Sequence, residues 1–555
     1  MKFKTLMARI LFSVAAVLSG VSVIAGCAPA AKPPVTGGEE PEKPEKSEYV
    51  SRVRTLENGR TYLEVDGKPY AIRGAQVRID GLYNRSQSFP NAVPPLTDEE
   101  IEQYFSKAKE LGINTLELAL EWKQIEKTKD NYDFALVDKL LGFTNKYGLK
   151  CEFLWFSTNM CGYSHSFTVP DYICSDSETY PVFESSKFYT HMYGNVFHLV
   201  LNNENLMQRE KLVLEKLMAH VSEWNRQNGE KNPLIGIQVH NESDGLLRWK
   251  LEQDSIKEDG APADPKKIWQ MTLDALDNAG KAVKSSDYKI YTRCNMTTSY
   301  NVGEFPQWQG KGFSPLDVLE LEGIDIIGDD PYVTSPVAIN DIVRAYSVNG
   351  NYPHIAENMG NYSSCPSMFL TAYQAGGSYM FYDLATPVYF VQINGNSSYQ
   401  MDQGVYNPDF TDKPHTAQTR SIIRGIAAMD SVLPLVESCD FAAFNVLTEI
   451  PLERRTQTVN TSNISLTYRT ENGGVAFAIE REGYVYLYST KDCKFTVNNA
   501  DITLKAEIGH FGNDGFVVEE EAYINPEISV SADKLYRIKI RKINEAVVST
   551  ANDNV

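Results

Sequence analysis

Two glutamates in the sequence each follow a short apolar segment, and as a pair they could carry acid–base chemistry. Residues 234–239 are largely apolar and Glu242 comes soon after them, while Glu357 follows a second segment that begins at His354. Taken singly, each could be a solvated loop residue. As a pair, one carboxylic acid could protonate a leaving oxygen while the other carboxylate attacks the carbon, as hydrolysis of a glycosidic bond requires. The fold must therefore bring both side chains to one place.

Eight short apolar segments, separated by helical patterns, indicate which fold could do this. They are predicted as strands at residues 70–76, 113–120, 149–156, 234–239, 288–293, 324–327, 354–356 and 378–382. Alternating strands and helices in this number are typical of an α/β fold, the (β/α)8 TIM barrel, whose active site lies at the carboxyl ends of the strands. Both glutamates would then share one rim. A doubly wound sheet is the alternative, but no Gly-rich phosphate-binding loop follows the first strand.

The helical patterns have recognisable ends. Thr97 and Glu100 form a capping box in front of a helix that stops at Gly112. Further helices are predicted at residues 134–147 and 206–228, and each is followed directly by a glycine. These signals support the alternation of strands and helices.

The C-terminal part of the chain has a different pattern. After about residue 440 the helical period disappears, and segments of alternating polar and apolar residues follow at 465–469, 475–480, 484–489, 494–497 and 535–540. They predict a β-sandwich over residues 440–543, followed by a loose tail at residues 544–555. The catalytic barrel, with an N-terminal hairpin around Asp66-Gly67, would then occupy residues 51–439.

The N-terminus has the features of an export signal. Three basic residues precede an apolar segment at residues 10–24, and Cys27 ends a stretch that resembles a bacterial lipobox. The apolar segment is too short for a membrane span and fits a secretory signal. Residues 1–26 are therefore predicted to be a lipoprotein signal peptide, with the lipid on Cys27. The alternative is a plain signal peptide with an incidental cysteine.

The segment after the predicted signal peptide and the net charge of the chain both bear on its partners. Residues 28–50 hold five Pro, five Glu and three Lys with little to bury, so residues 27–50 are predicted to be a flexible tether. We expect an exported lipoprotein of the bacterial cell envelope, held by its lipid at the outer membrane on its periplasmic or surface face. The chain carries 53 Lys+Arg against 72 Asp+Glu, and its net charge of −19 argues against a nucleic-acid partner.

Several motifs resemble one group of enzymes. The hexapeptide at residues 237–242, Ile-Gln-Val-His-Asn-Glu, resembles the Asn-Glu signature at strand 4 of the retaining clan A glycoside hydrolases. Within that clan the pattern is most similar to the β-galactosidase group, families 35 and 42. Residues 112–134 are similar to the second strand and following loop of these families, and residues 169–173 to their strand-3 loop. The resemblance is limited to motifs and spans roughly residues 70–383.

The resemblance implies a role for each of several residues. Glu242 would be the acid/base and Glu357 the nucleophile, while Asn241 would bind the 2-hydroxyl of the sugar. Tyr332 would donate a hydrogen bond to Glu357. Further residues at or near strand ends could bind hydroxyl groups or stack on a sugar ring, and these are Trp122, Gln76, Trp155, His240, Asp330 and Tyr382.

The sequence also departs from these families. His240 stands where they usually have Glu, no Trp follows soon after Glu357, and the three-Cys zinc cluster of many family 42 members is absent. No Cys-x-x-Cys pair occurs either, so we expect neither a metal nor another cofactor. Seven cysteines remain after Cys27, and both a Cys161–Cys174 disulfide and free thiols are open.

Three functions remain in view. The first is a retaining, exo-acting β-glycosidase, most similar to a β-galactosidase, that removes terminal β-linked sugars from oligo- or polysaccharides. An endo-acting β-glucanase or mannanase of the same clan would need an open cleft, whereas residues 157–205 are long enough to wall off a pocket. A catalytically inactive, anchored glycan-binding protein would not need both glutamates. A serine hydrolase is disfavoured, because no Gly-x-Ser-x-Gly motif occurs at a strand–helix turn.

Overall fold

The structure is a computed structural model that describes residues 48–77, 97–160, 164–165, 168–185, 190–191, 194–247, 256–258, 260–297, 312–387, 402–446, 452–525 and 527–543. The predicted signal peptide, Cys27, nearly all of the tether, Cys161 and the tail at residues 544–555 lie outside these ranges. Their predictions are therefore not addressed by the fold.

Eight parallel strands close into a barrel, which confirms the predicted fold class. They are β1 Arg73–Val77, β2 Thr115–Glu121, β3 Lys150–Met160, β4 Leu234–Asn241, β5 Tyr291–Met296, β6 Ile326–Asp329, β7 His354–Met359 and β8 Ser378–Tyr382. Each strand pairs with its successor in the chain, and β8 pairs with β1. All eight coincide with predicted segments, with ends that differ by a few residues. Glu242 directly follows β4 and Glu357 lies in β7, so the topology places both on the carboxyl-terminal rim.

One predicted segment divides into two elements. Lys68–Tyr70 belongs to a small antiparallel sheet with Ser51–Thr55 and Thr61–Val65, and β1 begins only at Arg73. The two-residue break lets the chain leave the hairpin and enter the barrel.

Helices cover the outside of the barrel. They are Asp98–Leu111, Trp122–Ile125, Ala135–Tyr147, Asp171–Cys174, Glu204–Gln227, Pro265–Lys284, Pro336–Tyr346, Cys365–Gln374 and Thr416–Ala428, with 3-10 turns at Pro315–Glu320, Leu433–Leu435, Ser438–Asp440 and Leu452–Arg454. The capping box of Thr97 and Glu100 is present, and Gly112 ends that helix in the left-handed conformation. Its apolar residues recur at helical spacing and are buried against the barrel, which is why the segment could be recognised.

The C-terminal part is a sandwich of two antiparallel sheets. One sheet contains Phe441–Val446, Gly474–Arg481, Tyr484–Ser489, Leu535–Ile543, Ala500–Gly512 and Gly515–Tyr523, and the other contains Thr456–Asn460, Ser465–Arg469, Cys493–Val497 and Ile528–Val530. Phe444 of the first sheet contacts the rings of Tyr468 and Phe495 of the second. These rings lie in an apolar core of the sandwich's own.

The sandwich also packs against the barrel's helices. The Tyr488 hydroxyl donates a hydrogen bond to the carbonyl of Ser421, and a Cβ added to Gly425 would lie 2.6 Å from the Tyr488 ring. Phe441 and Phe477 belong to the same apolar cluster as the helices around the barrel. The two parts therefore share buried surface.

Short strands follow β3 and β4. Ser164–His165, Thr190–His191 and Gly194–Phe197 form one small sheet, and Glu184–Ser185 pairs with Ile256–Glu258, which also pairs with Ala261–Pro262. The second sheet joins the segment after β3 to the segment after β4. Both segments leave the rim that carries Glu242.

Two further features bear on the predictions. Six cysteines within the described ranges carry free thiols, and Cys174 is among them. The alternative of a Cys161–Cys174 disulfide involves a residue outside the described ranges and stays a prediction. None of the helices that the structure describes is long and apolar enough to cross a membrane.

Candidate active site

The rim formed by the strand ends gathers seven of the predicted residues. Both Asp330 and Tyr332 lie within electrostatic reach of Glu242 and Glu357, so the two glutamates converge on one site. Four more polar or aromatic residues lie at the adjoining strand ends, namely Gln76, Asn241, Asn295 and Tyr382. The predictions named all of these except Asn295.

Glu357 is a buried carboxyl group that is held at both of its oxygens. Its side chain is 4% exposed, and Gln76 Nε2 donates a hydrogen bond of 2.7 Å to its Oε1. The Tyr332 hydroxyl donates to the other oxygen, Oε2. Burial and the nearby carboxylates raise the pKa of Tyr332 well above its ordinary value, so this phenol stays a donor. Two donors on one carboxylate favour its ionised form, which a nucleophile needs.

Glu242 is positioned through its backbone. Its N–H donates to Oδ1 of Asn295 at 2.7 Å, and the amide of Asn295 donates to Asn241 Oδ1 at 3.0 Å and to Asp330 Oδ2 at 2.6 Å. Asn295 thus ties together the ends of β4, β5 and β6. The sequence could not reveal it, because the fifth strand was predicted to end at Arg293, three residues before its end at Met296.

A left-handed residue in β4 sets the direction of these side chains. The register of β4 against β3 shifts between Val239 and Asn241, where the extra residues lie on β3, and the intervening His240 has a left-handed backbone with φ of 62°. Side chains in a regular strand alternate between faces, and a left-handed residue interrupts this alternation. Gln238 and Asn241 therefore both face the barrel interior, where Gln238 Nε2 donates to Asn241 Oδ1 at 3.0 Å.

Two other site residues have the same unusual backbone. Glu242 and Tyr332 each have a φ of 46°, in the left-handed region that residues with a side chain seldom adopt. Such conformations carry a free-energy cost and cluster at functional sites. They indicate that the surrounding contacts fix these residues in place.

A buried polar network lies beneath the rim. The guanidinium of Arg293 contacts Glu152 at 2.7 Å and Glu117 at 3.0 Å, and it donates to the side-chain oxygen of Gln238. Burial raises the pKa of Glu117 to about 8, although the charge of Arg293 opposes the shift. Arg293 and Gln238 form a chain of hydrogen bonds that ends at Asn241.

Three predicted sugar-binding residues do not face the site. Trp122, Trp155 and His240 are each 0% exposed. Trp155 Nε1 and His240 Nε2 both contact Glu210 on helix Glu204–Gln227, at 3.0 and 3.1 Å. Trp122 donates to Glu126 outside the barrel and stacks on Trp155. The structure thus places these three side chains away from the rim, with their polar atoms pointing into the helical layer.

Tyr382 completes the rim. It is partly buried, and its ring meets that of Tyr332 edge to face with centroids 5.9 Å apart. Among the residues that the structure describes, no group of three or more His, Cys, Asp or Glu could hold a metal ion. The chemistry that the described side chains offer is therefore that of carboxyl groups, a phenol and amides.

Comparisons with known proteins add the following. Residues 271–451 match the model of a domain of unknown function (DUF4978), and no curated protein matches the sequence. Among solved structures, the exo-beta-1,4-mannosidase Op5Man5 from Opitutaceae bacterium strain TAV5 is 14% identical with a TM-score of 0.45, and 69% of this chain and 63% of that chain are covered. An endo-1,4-beta-mannanase from Rhizomucor miehei is 14% identical with a TM-score of 0.44, covering 68% of this chain and 99% of the other.

A third solved structure is a polyextremophilic beta-galactosidase from Halorubrum lacusprofundi, which is 12% identical with a TM-score of 0.42 and covers 64% of this chain and 58% of its own. This chain thus spans less than two thirds of both the mannosidase and the galactosidase. These three solved structures are glycoside hydrolases that differ in substrate.

Proposed function

We propose that this chain is a retaining glycoside hydrolase in which Glu357 is the nucleophile and Glu242 the acid/base. The observation that carries the proposal is the setting of Glu357. Its buried carboxylate accepts hydrogen bonds on both oxygens and lies on the same barrel rim as Glu242. Such a pair of carboxyl groups is what the double displacement of a glycoside needs.

The two glutamates would act in two steps. In the first, a Glu357 oxygen attacks the anomeric carbon while Glu242 gives its proton to the departing glycosidic oxygen, which leaves a glycosyl ester on Glu357. In the second, Glu242 takes a proton from water as that water attacks the anomeric carbon and frees Glu357. Both residues then return to their starting states.

The contacts of the two glutamates favour this assignment of roles over the reverse. Gln76 and Tyr332 fix both oxygens of Glu357 and stabilise its charge. Glu242 is only partly buried and is anchored through its backbone N–H, which suits a group that must lose and regain a proton. Asn241 has its Oδ1 turned toward Gln238 and Asn295, which directs its Nδ2 to the other side, where the 2-hydroxyl would bind.

For the substrate we propose a terminal β-linked sugar, with a β-galactoside first among the candidates. The small sheet that joins the segments after β3 and β4 supports an enclosed pocket, since it builds structure beside the rim that carries Glu242. An open cleft, and with it endo-action on a β-glucan or mannan, is the second candidate. An inactive glycan-binding protein is the third, but binding alone gives no reason for the two hydrogen bonds on Glu357.

The proposed function can be tested with the purified chain and a panel of aryl β-glycosides, with the Glu357→Ala variant as the control. We expect turnover of at least one glycoside by the wild type only, and NMR should detect the β-anomer of the free sugar first. An α-anomer as first product would indicate inversion and overturn the mechanism. Saturable sugar binding without turnover of any glycoside would instead favour the glycan-binding protein.

We also propose that the chain is an exported lipoprotein anchored at the bacterial cell envelope through Cys27. The basic start, the apolar segment of residues 10–24 and the lipobox-like end support this. The Pro- and Glu-rich segment of residues 28–50 would then hold the barrel away from the lipid surface, where it could reach large saccharides.

A further inference from the structure

A third carboxyl group lies close to the two glutamates and takes no part in the mechanism above. Asp330 directly follows β6 and is 2% exposed. Its Oδ2 accepts a hydrogen bond of 2.6 Å from Asn295. Its Oδ1 is buried and accepts or donates no hydrogen bond within the described part of the chain. Buried polar atoms are nearly always paired, so an unpaired oxygen beside an active site points to a missing partner.

The surroundings of Asp330 are strongly negative. Glu357 on β7, Glu242 after β4, Asp329 on β6 and Glu117 on β2 all lie within electrostatic reach of it. Each of these carboxyl groups disfavours a further negative charge at this point. Burial and these charges raise the pKa of Asp330 well above its ordinary value.

Other titratable groups of the described residues also face this carboxyl group. Arg293 on β5 is a cation within reach, and its closest contacts are with Glu117 and Glu152. Cys294 and Tyr332 are further titratable neighbours, and the pKa of each is raised by burial, so both are neutral at neutral pH. Burial and the neighbouring carboxylates thus favour the neutral carboxylic acid form of Asp330, and no described group pairs with its Oδ1.

We propose that Asp330 binds the substrate, with its Oδ1 hydroxyl donating a hydrogen bond to a hydroxyl of the sugar at the reacting centre. The inference rests on the proposed function and deepens it. Because one amide of Asn295 holds both Asp330 Oδ2 and Asn241 Oδ1, the two side chains are neighbours. The acceptor would therefore be the 2-hydroxyl or the adjacent 3-hydroxyl, and the enzyme would favour neutral sugars over cationic 2-amino sugars.

Two substitutions distinguish a hydrogen-bond donor at Asp330 from a carboxylate with a purely structural role. In Asp330→Asn the amide oxygen can keep the bond to Asn295 while the NH2 group takes the place of the Oδ1 hydroxyl. In Asp330→Leu the volume is similar but the donor is lost. Asp329→Asn is the matched control, because Asp329 is equally buried but accepts a hydrogen bond from Tyr346 on the helical side.

The measurement is kcat and KM on the best aryl β-glycoside and on its 2-deoxy, 3-deoxy and 6-deoxy analogues. We expect Asp330→Leu to lose about tenfold to a hundredfold in kcat/KM on the parent, as for a lost hydrogen bond in a buried site. The kcat/KM of Asp330→Asn should stay within about threefold of the wild-type value, because its NH2 group keeps the hydrogen bond. The loss in Asp330→Leu should shrink on the 2-deoxy or the 3-deoxy sugar and persist on the 6-deoxy sugar.

The pH dependence gives a second readout that does not need the leucine variant to fold. As pH rises through its raised pKa, Asp330 ionises and ceases to donate, whereas the asparagine cannot ionise. The ratio of kcat/KM for Asp330→Asn to that of the wild type should therefore rise toward alkaline pH. A constant ratio would overturn the inference.

Three further results would overturn the inference about Asp330 without contradicting the proposed glycosidase activity. These are equal losses in Asp330→Asn and Asp330→Leu, a similar loss in Asp329→Asn, or a preference for 2-amino sugars, which would require an ionised Asp330. A wild type that turns over no glycoside would overturn the proposed function, and this inference with it.

Discussion

Removing the phenol of Tyr332 tests how the site stabilises its nucleophile. The two oxygens of Glu357 accept hydrogen bonds from different residues, Gln76 on Oε1 and Tyr332 on Oε2. Tyr332→Phe keeps the ring, and with it the edge-to-face contact with Tyr382, but deletes the donor on Oε2. Any change in activity can then be attributed to that one hydrogen bond.

The size of the effect follows from the charge on Glu357. A hydrogen bond to a charged group contributes about 1.5–3 kcal/mol. At about 1.4 kcal/mol per factor of ten, its loss should lower kcat/KM by about tenfold to a hundredfold. The same loss favours the protonated, inactive form of the carboxyl group. The acidic limb of the pH profile should therefore move to higher pH, by roughly one to two pH units.

The assay is kcat/KM against pH for an aryl β-glycoside, in the wild type, Tyr332→Phe and a control. Tyr346→Phe is a suitable control, because it also deletes a buried phenol that donates to a carboxylate, Asp329, but on the helical side. We expect the acidic limb to move in Tyr332→Phe alone. If it does not move there, or moves as far in Tyr346→Phe, the reasoning about Glu357 is wrong.

Four further expectations can be stated briefly. Glu357→Ala should be nearly inert on every substrate. Glu242→Ala should still form the glycosyl-enzyme from activated aryl glycosides, and azide should accelerate the breakdown of that glycosyl-enzyme. If the two variants behave in the opposite way, the two roles are reversed. Glu117 has a folded-state pKa of about 8 against an ordinary 4.5, so between these pH values the folded state binds the extra proton and stability falls as pH rises. The free energy of unfolding of Glu117→Gln, measured with urea, should not fall over this pH range. If the wild type and Glu117→Gln show the same dependence on pH, the raised pKa of Glu117 is contradicted. Cys27→Ser should abolish lipid labelling and release the protein from the membrane fraction, and unchanged labelling would exclude the anchor. A chain that ends at residue 439 should lose solubility, because removal of the sandwich exposes apolar surface that the sandwich buries. A soluble, fully active product would show that the sandwich is dispensable.

The barrel could be predicted because its strands are short and apolar and its helices have clear ends. All eight strands were recognised, and so were the capping box at Thr97 and the rim position of both glutamates. The errors lie at element ends, where apolar periodicity says little. The strand predicted at residues 288–293 in fact spans Tyr291–Met296, and this shift hid Asn295, which holds Glu242 in place.

The direction in which a side chain points was harder to predict than its position along the chain. Trp155 was predicted near the end of its strand and His240 just after the next one, yet both contact Glu210 in the helical layer. For His240 the cause is its left-handed backbone, which turns the ring outward. Such a backbone conformation commonly uses glycine or asparagine. With His at that position, the sequence gives no sign of it.

The polar interior of the barrel explains why this conformation of His240 is stable. Inward positions on β2 to β5 carry Glu117, Glu152, Gln238 and Arg293, side chains that a barrel core would normally exclude. Their burial is tolerated because one guanidinium serves two carboxyl groups and the Gln238 amide. Gln238 in turn donates a hydrogen bond to Asn241, which faces it because the left-handed backbone of His240 interrupts the alternation of β4. The network and this backbone conformation therefore support each other, and the residue proposed to bind the sugar's 2-hydroxyl is oriented by charged groups buried beneath the rim.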